Sequence, residues 1–246
     1  APVLDVFLNR ETREVSFVMA LASGGSLSRF LTHHPNLSEG AKAVIARKMI
    51  SAVRYCHEQS ICHRDIKLEN FVFESTAEDA EVMLIDFGMA YKMTPGELIE
   101  DGCSTFLYMA PEMFYLYHVH VAKTGGSVLY DTKVDMWALG VTIFQMLYGI
   151  MPLGLGEDPS EEEEEIADLI VYEPLAFPGE DEEGEGDGGG VSEDARAFLH
   201  ALLQRDAKDR PSATEALSAK WITSHQDAKI TEDSGVNGTA VVDGLL

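Results

Sequence analysis

The sequence predicts a single α+β domain that is chiefly α-helical, and three observations carry that prediction. Two short β-branched and aromatic runs open the chain, at Val3–Leu8 and Val15–Leu21. From Ser38 to about Gln59, Ile45, Met49, Ala52, Val53 and Cys56 recur at helical spacing. A third run, Val134–Tyr148, is apolar on so many sides that it reads as a helix through the centre of a core. At 246 residues the chain suffices for one sizeable core or two small ones.

In chain order, the polar stretch 9–14 joins the first two runs as a hairpin. Ser23, Gly24, Gly25 and Ser26 then break the strand and open a short helix. The amphipathic helix over 38–59 follows, then two very short strands, Phe71–Phe73 and Val82–Ile85. Beyond the central helix, a short apolar helix is predicted over Ile166–Val171. Ser192, Glu193 and Asp194 start another helix ahead of Phe198, Leu199, Leu202 and Leu203. Ser212 and Glu215 stand at capping-box spacing. Residues 226–246 read as a flexible tail, in which Asn237, Gly238 and Thr239 match a glycosylation acceptor that means little without a secretion signal.

Composition narrows the function. The chain is 46% hydrophobic and 24% charged, which excludes a wholly disordered or fibrous protein. Its 18 Lys and Arg face 42 Asp and Glu, a formal charge of −24 that argues against nucleic acid and anionic lipid as partners. Fifteen of those acids fall in residues 157–190, which hold no Lys or Arg. Within that window, the Gly-rich acidic stretch 179–190 cannot bury a core and is expected to be an inserted, solvated loop. Basic partners for the acidic stretches are compatible with this charge, although solubility alone accounts for them.

No run of eighteen apolar residues exists to span a membrane. Cys56, Cys62 and Cys103 cannot all pair within the chain, which favours a reducing compartment: the cytoplasm, with the nucleus as the alternative. The pairs Cys56-His57 and Cys62-His63 lack the spacing of common zinc signatures. The opening residues lack the pattern of a signal peptide and look like the interior of a domain.

The chemistry concentrates between the long helix and the two short strands. His63, Arg64, Asp65, Ile66, Lys67, Leu68, Glu69 and Asn70 form a loop segment, and Asp86, Phe87 and Gly88 follow. A loop held between rigid elements suits catalytic groups. Four apolar residues precede Asp86, which puts it at the end of a buried strand, and Gly88 then lets the chain turn. Asn70 and Asp86, hard oxygen donors at the ends of paired strands, suit Mg²⁺. A lysine beside Asp65 would set a point charge against a transferring phosphoryl group while the carboxylate accepts a hydroxyl proton.

With these residues the chain resembles the eukaryotic protein kinase family. The HRDxKxxN loop stands at His63–Asn70, DFG at Asp86–Gly88 and APE at Ala110–Glu112. Ser104, Thr105, Tyr108 and Met109 look like the substrate-facing segment. Asp135, Trp137 and Gly140 resemble the DxWxxG helix start, and Arg205–Arg210 the late arginine-containing turn. The resemblance covers roughly residues 1–222, and its closest phrasing is to the calcium/calmodulin-dependent-like serine/threonine branch.

The resemblance implies a protein-kinase-like fold, mainly the helical C-terminal lobe over 23–225, with the last strands and hinge of the N-terminal lobe over 1–22. It implies ATP and Mg²⁺ as cofactors and protein substrates with Ser or Thr acceptors. Asp65 would be the base, Lys67 would steady the phosphate, and Arg64 would tie the loop to the activation segment. Asn70 and Asp86 would ligate Mg²⁺, with Glu69 also on the nucleotide side. Met19 resembles the gatekeeper, Ala20 to Ala22 the hinge, and Val72 the floor under adenine. Thr105 would face substrate. Asp135 would brace the catalytic loop and Glu112 would pair with Arg210, both as architecture rather than chemistry. His63 reads as packed, and Cys103 as an ordinary half-exposed cysteine.

Departures bear on completeness. Ser26 stands where many family members have an acid, and Ser104 replaces a common glycine. Extra length separates Glu112 from Asp135, at Tyr115–Tyr130. No Gly-rich phosphate loop, strand lysine or helix glutamate precedes the hinge. The expectation is therefore a partial kinase domain, missing its upper-lobe sequence and inactive alone. A pseudokinase-like scaffold, a protein-binding module, is the rival reading.

Overall fold

A computed structural model describes residues 3–94, 96–100, 104–115, 129–156, 162–179 and 190–230. Cys103, most of the extra length before Tyr130, nearly all of the acidic loop 179–190, and the tail from 231, with its glycosylation pattern, lie outside the described residues.

Strands β1 (Val3–Asn9) and β2 (Glu14–Met19) pair antiparallel, with a register shift between Val3 and Asp5. The Asn9 side chain closes the turn by accepting the N–H groups of Glu11 and Thr12 at 3.1 and 3.3 Å. The hairpin is exposed on both faces: Leu4 is 65% exposed and Phe17 62%. Alternation cannot bury either face without a second layer.

A two-residue strand β3 (Gly25–Ser26) leads into helix α1 (Leu27–His33) and joins β5 (Phe71–Phe73) and β6 (Val82–Leu84) in the order β3-β5-β6. Gly24 is required there, because a Cβ would lie 2.3 Å from the Ser75 carbonyl oxygen and 2.5 Å from Phe73 Cβ. Between them comes helix α2 (Glu39–Glu58), capped by Ser38, whose hydroxyl accepts Ala41 N–H at 3.2 Å. Strands β4 (Ile61–Cys62) and β7 (Tyr91–Lys92) form a third small sheet.

After a short helix α3 (Pro111–Tyr115), helix α4 (Lys133–Tyr148) has 13 of its 16 residues buried, as its all-round apolarity predicts. It ends at Gly149, whose φ of 76° makes the left-handed cap. Helices α5 (Glu163–Tyr172), α6 (Glu193–Leu202), α7 (Ala213–Ala216) and α8 (Lys220–Ser224) complete the packing. Gly140 admits α6 closely; a Cβ there would stand 2.9 Å from Leu202 Cβ.

The helix start at Glu39 also knots three elements. Its carboxylate accepts Trp221 Nε1–H at 2.9 Å and the Ser192 N–H and hydroxyl at 2.7 and 2.6 Å. The capping box at Ser212 and Glu215 forms as its spacing predicts. Ordered packing continues past His225 as far as Ile230, which rests partly buried on the core.

Candidate active site

Helix α2 ends beside β4, and the chain from His63 to Asn70 wraps over the N-terminal end of α4. Asp135, in the first turn of α4 and fully buried, organises that wrap. Its Oδ2 accepts His63 N–H at 2.8 Å, its Oδ1 accepts Arg64 N–H at 2.8 Å, and His57 Nε2 stands 2.9 Å from Oδ2. Burial alone would raise the Asp135 pKa; the His57 contact and the two backbone N–H groups reverse this and hold the carboxyl below its ordinary value. The clamp also fixes a costly backbone, since Arg64 sits at φ 67°.

His63 is buried and lies between Asp65 N–H, 3.3 Å from Nδ1, and the Ile85 carbonyl, 3.1 Å from Nε2. That pair of contacts fits the tautomer protonated at Nε2. Burial depresses the His63 pKa and keeps the ring neutral. It is packing, as its setting in the sequence predicts.

Asp65 is the centre of the polar cluster. Lys67 Nζ lies 3.0 Å from Oδ1 and 2.8 Å from Oδ2, and Asn70 Nδ2 donates to Oδ2 at 2.8 Å and to the Asp65 carbonyl at 2.7 Å. The Thr105 hydroxyl donates to Oδ1, and Lys67 Nζ lies 3.0 Å from that same hydroxyl. Burial would raise the Asp65 pKa; donors on Lys67, Thr105 and Asn70 outweigh it and keep the carboxylate ionised. Three residues, Lys67 and Asn70 from the loop and Thr105 from the distant segment before α3, thus meet at the Asp65 carboxylate. An ionised carboxylate touching a hydroxyl can take its proton, and the ammonium beside both can hold an anion.

Asn70 and Asp86 come to the same end of the β5–β6 pair. Phe71 is opposite Leu84, and Ile85 N–H donates to the Asn70 carbonyl at 2.9 Å. Because Asn70 Nδ2 is committed to Asp65, Oδ1 is the atom left for a cation. Asp86 Oδ1 accepts Gly88 N–H at 3.2 Å. Oxygen donors of this kind fit Mg²⁺. One expectation is corrected: Asp86 is not at a buried strand end. Strand β6 stops at Leu84, the chain turns at Asp86 with φ 61°, and Asp86 is exposed beside a 46% exposed Phe87.

The remaining residues fall around this centre. Met19 ends β2 at 43% exposure, and Ala20 and Ala22 are half-buried in the link to β3, where the Ala22 carbonyl accepts Gly25 N–H at 3.3 Å. Val72 is buried in the middle strand, opposite Ser26 and Met83. Glu69 is exposed, and after burial its charge is the next cause that pushes the Tyr108 phenol up to about 12. Arg64 Nε donates to the Met89 carbonyl at 2.6 Å, Nη1 to the Tyr130 hydroxyl at 3.2 Å, and the guanidinium lies 5.5 Å from the Tyr91 ring centre.

Arg210 and Glu112 form a bidentate pair at 2.7 and 2.6 Å. The other Arg210 donors reach the carbonyls of Gln204, Lys133 and Arg205, and Trp137 lies under the guanidinium at 5.2 Å.

Sequence reading missed the roles of His57 and Tyr130, and Gln145 as the partner of Tyr108. His57 was visible only as half of a Cys-His pair, and it serves Asp135 instead of a metal. Burial raises the Cys56 thiol to about 11 and Cys62 well above its ordinary value, so neither is a thiolate. Among the described residues no group of three or more His, Cys, Asp or Glu could hold a metal. Tyr108 bonds Gln145 at 2.9 Å across 37 residues, a pairing with no local signal.

Comparison with known proteins shows the family. The family described as protein kinase domain matches residues 3–222. Myosin light chain kinase A of Dictyostelium discoideum is 34% identical over 208 residues, 85% of this chain and 63% of that protein. The PAS domain-containing serine/threonine-protein kinase of Mus musculus is 32% identical over 221 residues, 90% of this chain and 13% of its own length. Calcium-dependent protein kinase 11 of Oryza sativa subsp. japonica is 32% identical over 208 residues, 85% and 32%. The chain spans less than two thirds of each of these relatives. The protein kinase domain match runs over most of the chain, from residue 3 to residue 222, and the chain belongs to the protein kinase family.

Proposed function

We propose that this domain serves ATP-dependent transfer of the γ-phosphoryl group to Ser or Thr hydroxyls of proteins. The observation that supports the reading best is the Thr105 hydroxyl resting on Asp65 Oδ1 with Lys67 beside both. It stands in for the acceptor hydroxyl of a substrate. In the reaction, that acceptor oxygen attacks the γ-phosphorus, its proton passes to Asp65, the bond to the β-phosphate oxygen breaks, and ADP leaves. Lys67 neutralises charge next to the forming bond, and Asn70 orients Asp65 through its amide. Mg²⁺, for which Asn70 and Asp86 offer oxygens, supplies charge neutralisation on the phosphates. Arg64 anchors the segment that carries Thr105. Met19, Ala20, Ala22, Glu69 and Val72 would border the nucleotide.

The test is labelled phosphate transfer to mixed Ser/Thr and Tyr peptides, by the 246 residues alone and by the same residues joined to a phosphate-covering lobe from a kinase relative. Transfer to Ser/Thr peptides by the joined protein, lost in Asp65→Asn, is the expected result. Absence of transfer there would leave the scaffold reading, which the two-sided exposure of the β1–β2 hairpin favours.

A further inference from the structure

A groove of about 390 Å³ lies between α1, the start of α2 and the C-terminal end of α4. Leu31, Leu68 and Met146 give it apolar walls, while Thr32, Lys42 and Gln145 give it polar groups. That volume falls in the range of roughly 300–1,000 Å³ in which proteins hold ligands. Leu68 belongs to the same loop as Asp65, and Gln145 is bonded to Tyr108 of the segment that carries Thr105, so the groove adjoins the proposed reaction centre.

Its charge is unlike that of the chain as a whole. Among the described residues that line it none is Asp or Glu, and Lys42 brings an ammonium. Residues 15–57, which carry α1 and nearly all of α2, hold five Lys or Arg and one acid, within a chain of formal charge −24. That acid, Glu39, is engaged by Trp221 and Ser192. Lys42 Nζ donates to the Leu147 carbonyl at 3.1 Å and so answers the negative end of α4 inside the groove. Gln145 Oε1 accepts the Tyr108 hydroxyl at 2.9 Å, so what Gln145 offers a ligand is its Nε2 donor. Glu69 is exposed just past Leu68, and its charge reaches Tyr108.

We infer that this groove holds an acidic segment of the protein substrate, an inference that rests on the proposed phosphoryl transfer. Carboxylates of the segment lie at the Lys42 end, where the ammonium and the surplus of basic residues on α1 and α2 attract them. Gln145 Nε2 donates to a carbonyl or carboxylate of the segment, and apolar side chains cover Leu31 and Met146. Glu69 repels acids from the loop end, which leaves an uncharged stretch between the acidic residues and the acceptor Ser or Thr. A basic segment would bring like charge to Lys42 and find no carboxylate along the groove to receive it.

The experiment measures binding without nucleotide, so its failure is distinct from failure of the proposed activity. Three fluorescent peptides of equal length share one Ser acceptor and Leu positions and carry Glu, Gln or Lys at the remaining places. Their affinities for the 246-residue protein are read by anisotropy. The Glu peptide should bind about fivefold more tightly than the Gln peptide at low salt, with the gap closing as salt is raised. Lys42→Gln should abolish the gap and Lys42→Arg should keep it. Gln145→Glu retains an oxygen for the Tyr108 hydroxyl while adding a carboxylate to the groove, and it should turn the preference toward the Lys peptide; this variant decides the matter if Lys42→Gln does not fold. Equal binding of the Glu and Gln peptides, tighter binding of the Lys peptide by the wild type, or a Glu preference untouched by Gln145→Glu overturns the inference. Tight binding of the Glu peptide with no phosphate transfer to it by the joined protein would count against the proposed activity and leave the preference of the groove standing.

Discussion

Asp135 accepts the backbone N–H of Arg64 at 2.8 Å while Arg64 holds a φ of 67°, so a buried carboxylate on α4 sustains a left-handed backbone one residue before Asp65. The same carboxylate takes His63 N–H and His57. Replacing it orphans three donors in a dry site. Asp135→Ala is expected to lower stability by about 3 kcal/mol, measured as the urea midpoint and slope. A loss below about 1 kcal/mol would falsify the clamp.

The Arg210–Glu112 pair makes a different demand. Arg210 spends its five donors on one carboxylate and three carbonyls, at 1% exposure. Lysine keeps the charge but not the planar fork. Arg210→Lys should therefore cost about 2–3 kcal/mol in denaturant unfolding, well above the level of an exposed ion pair. Stability equal to wild type would mean that the fork is dispensable.

Acid should weaken the fold through two named groups. Asp65 and Asp135 both ionise below the ordinary carboxyl range when folded. Each contributes stability that is fully present above its unfolded pKa, about 4 for aspartate, and lost as pH falls through the lower folded value. Unfolding free energy measured from pH 7 to pH 3 should decline most steeply below about pH 4. Asp135→Asn should flatten that decline, and an unaltered slope in that variant would remove Asp135 from the account.

The long elements of this fold were legible because the apolar period of α2 and the all-round apolarity of α4 decide them without any remote partner. Helix α2 runs Glu39–Glu58, and α4 reaches to within one residue of its predicted start. Strands β3, β4 and β7 were not legible, since two residues carry no period and their pairing partners are remote. The residue types at Asp65, Lys67 and Asn70 announced their chemistry, and they do converge. Asp86 shows the limit: four apolar residues before it suggested burial, but exposure depends on what lies above a strand end, which no local pattern encodes. Tyr130 and His57 are partners set by tertiary contact alone.

Nucleotide binding by these 246 residues should be weak. They contain no Gly-rich phosphate loop or strand lysine ahead of the hinge, and Asp86 stands exposed. Calorimetric titration with Mg²⁺·ATP should give a Kd weaker than about 1 mM, roughly −4 kcal/mol. Micromolar affinity would mean that the residues described around Asp65 hold the phosphates unaided.

The two carboxylates of the site should fail in different ways, and that difference separates proton transfer from metal binding. Asp65 is gripped by Lys67, Asn70 and Thr105, so Asp65→Asn retains an acceptor oxygen and much of the loop's shape while losing the base. In the protein joined to a phosphate-covering lobe, nucleotide affinity should persist and kcat should fall by about 100-fold or more. Asp86 has one backbone N–H on Oδ1 and otherwise faces outward, so Asp86→Asn removes anionic charge from a cation's donor set with little structural consequence. Its Kd for Mg²⁺·ATP should rise together with the loss of turnover, and raising the Mg²⁺ concentration should recover part of the rate. Transfer rates and nucleotide titrations on wild type and both variants decide the matter. If Asp65→Asn weakens nucleotide binding as much as Asp86→Asn does, the two residues share one role and Asp65 is no longer distinguished as the base.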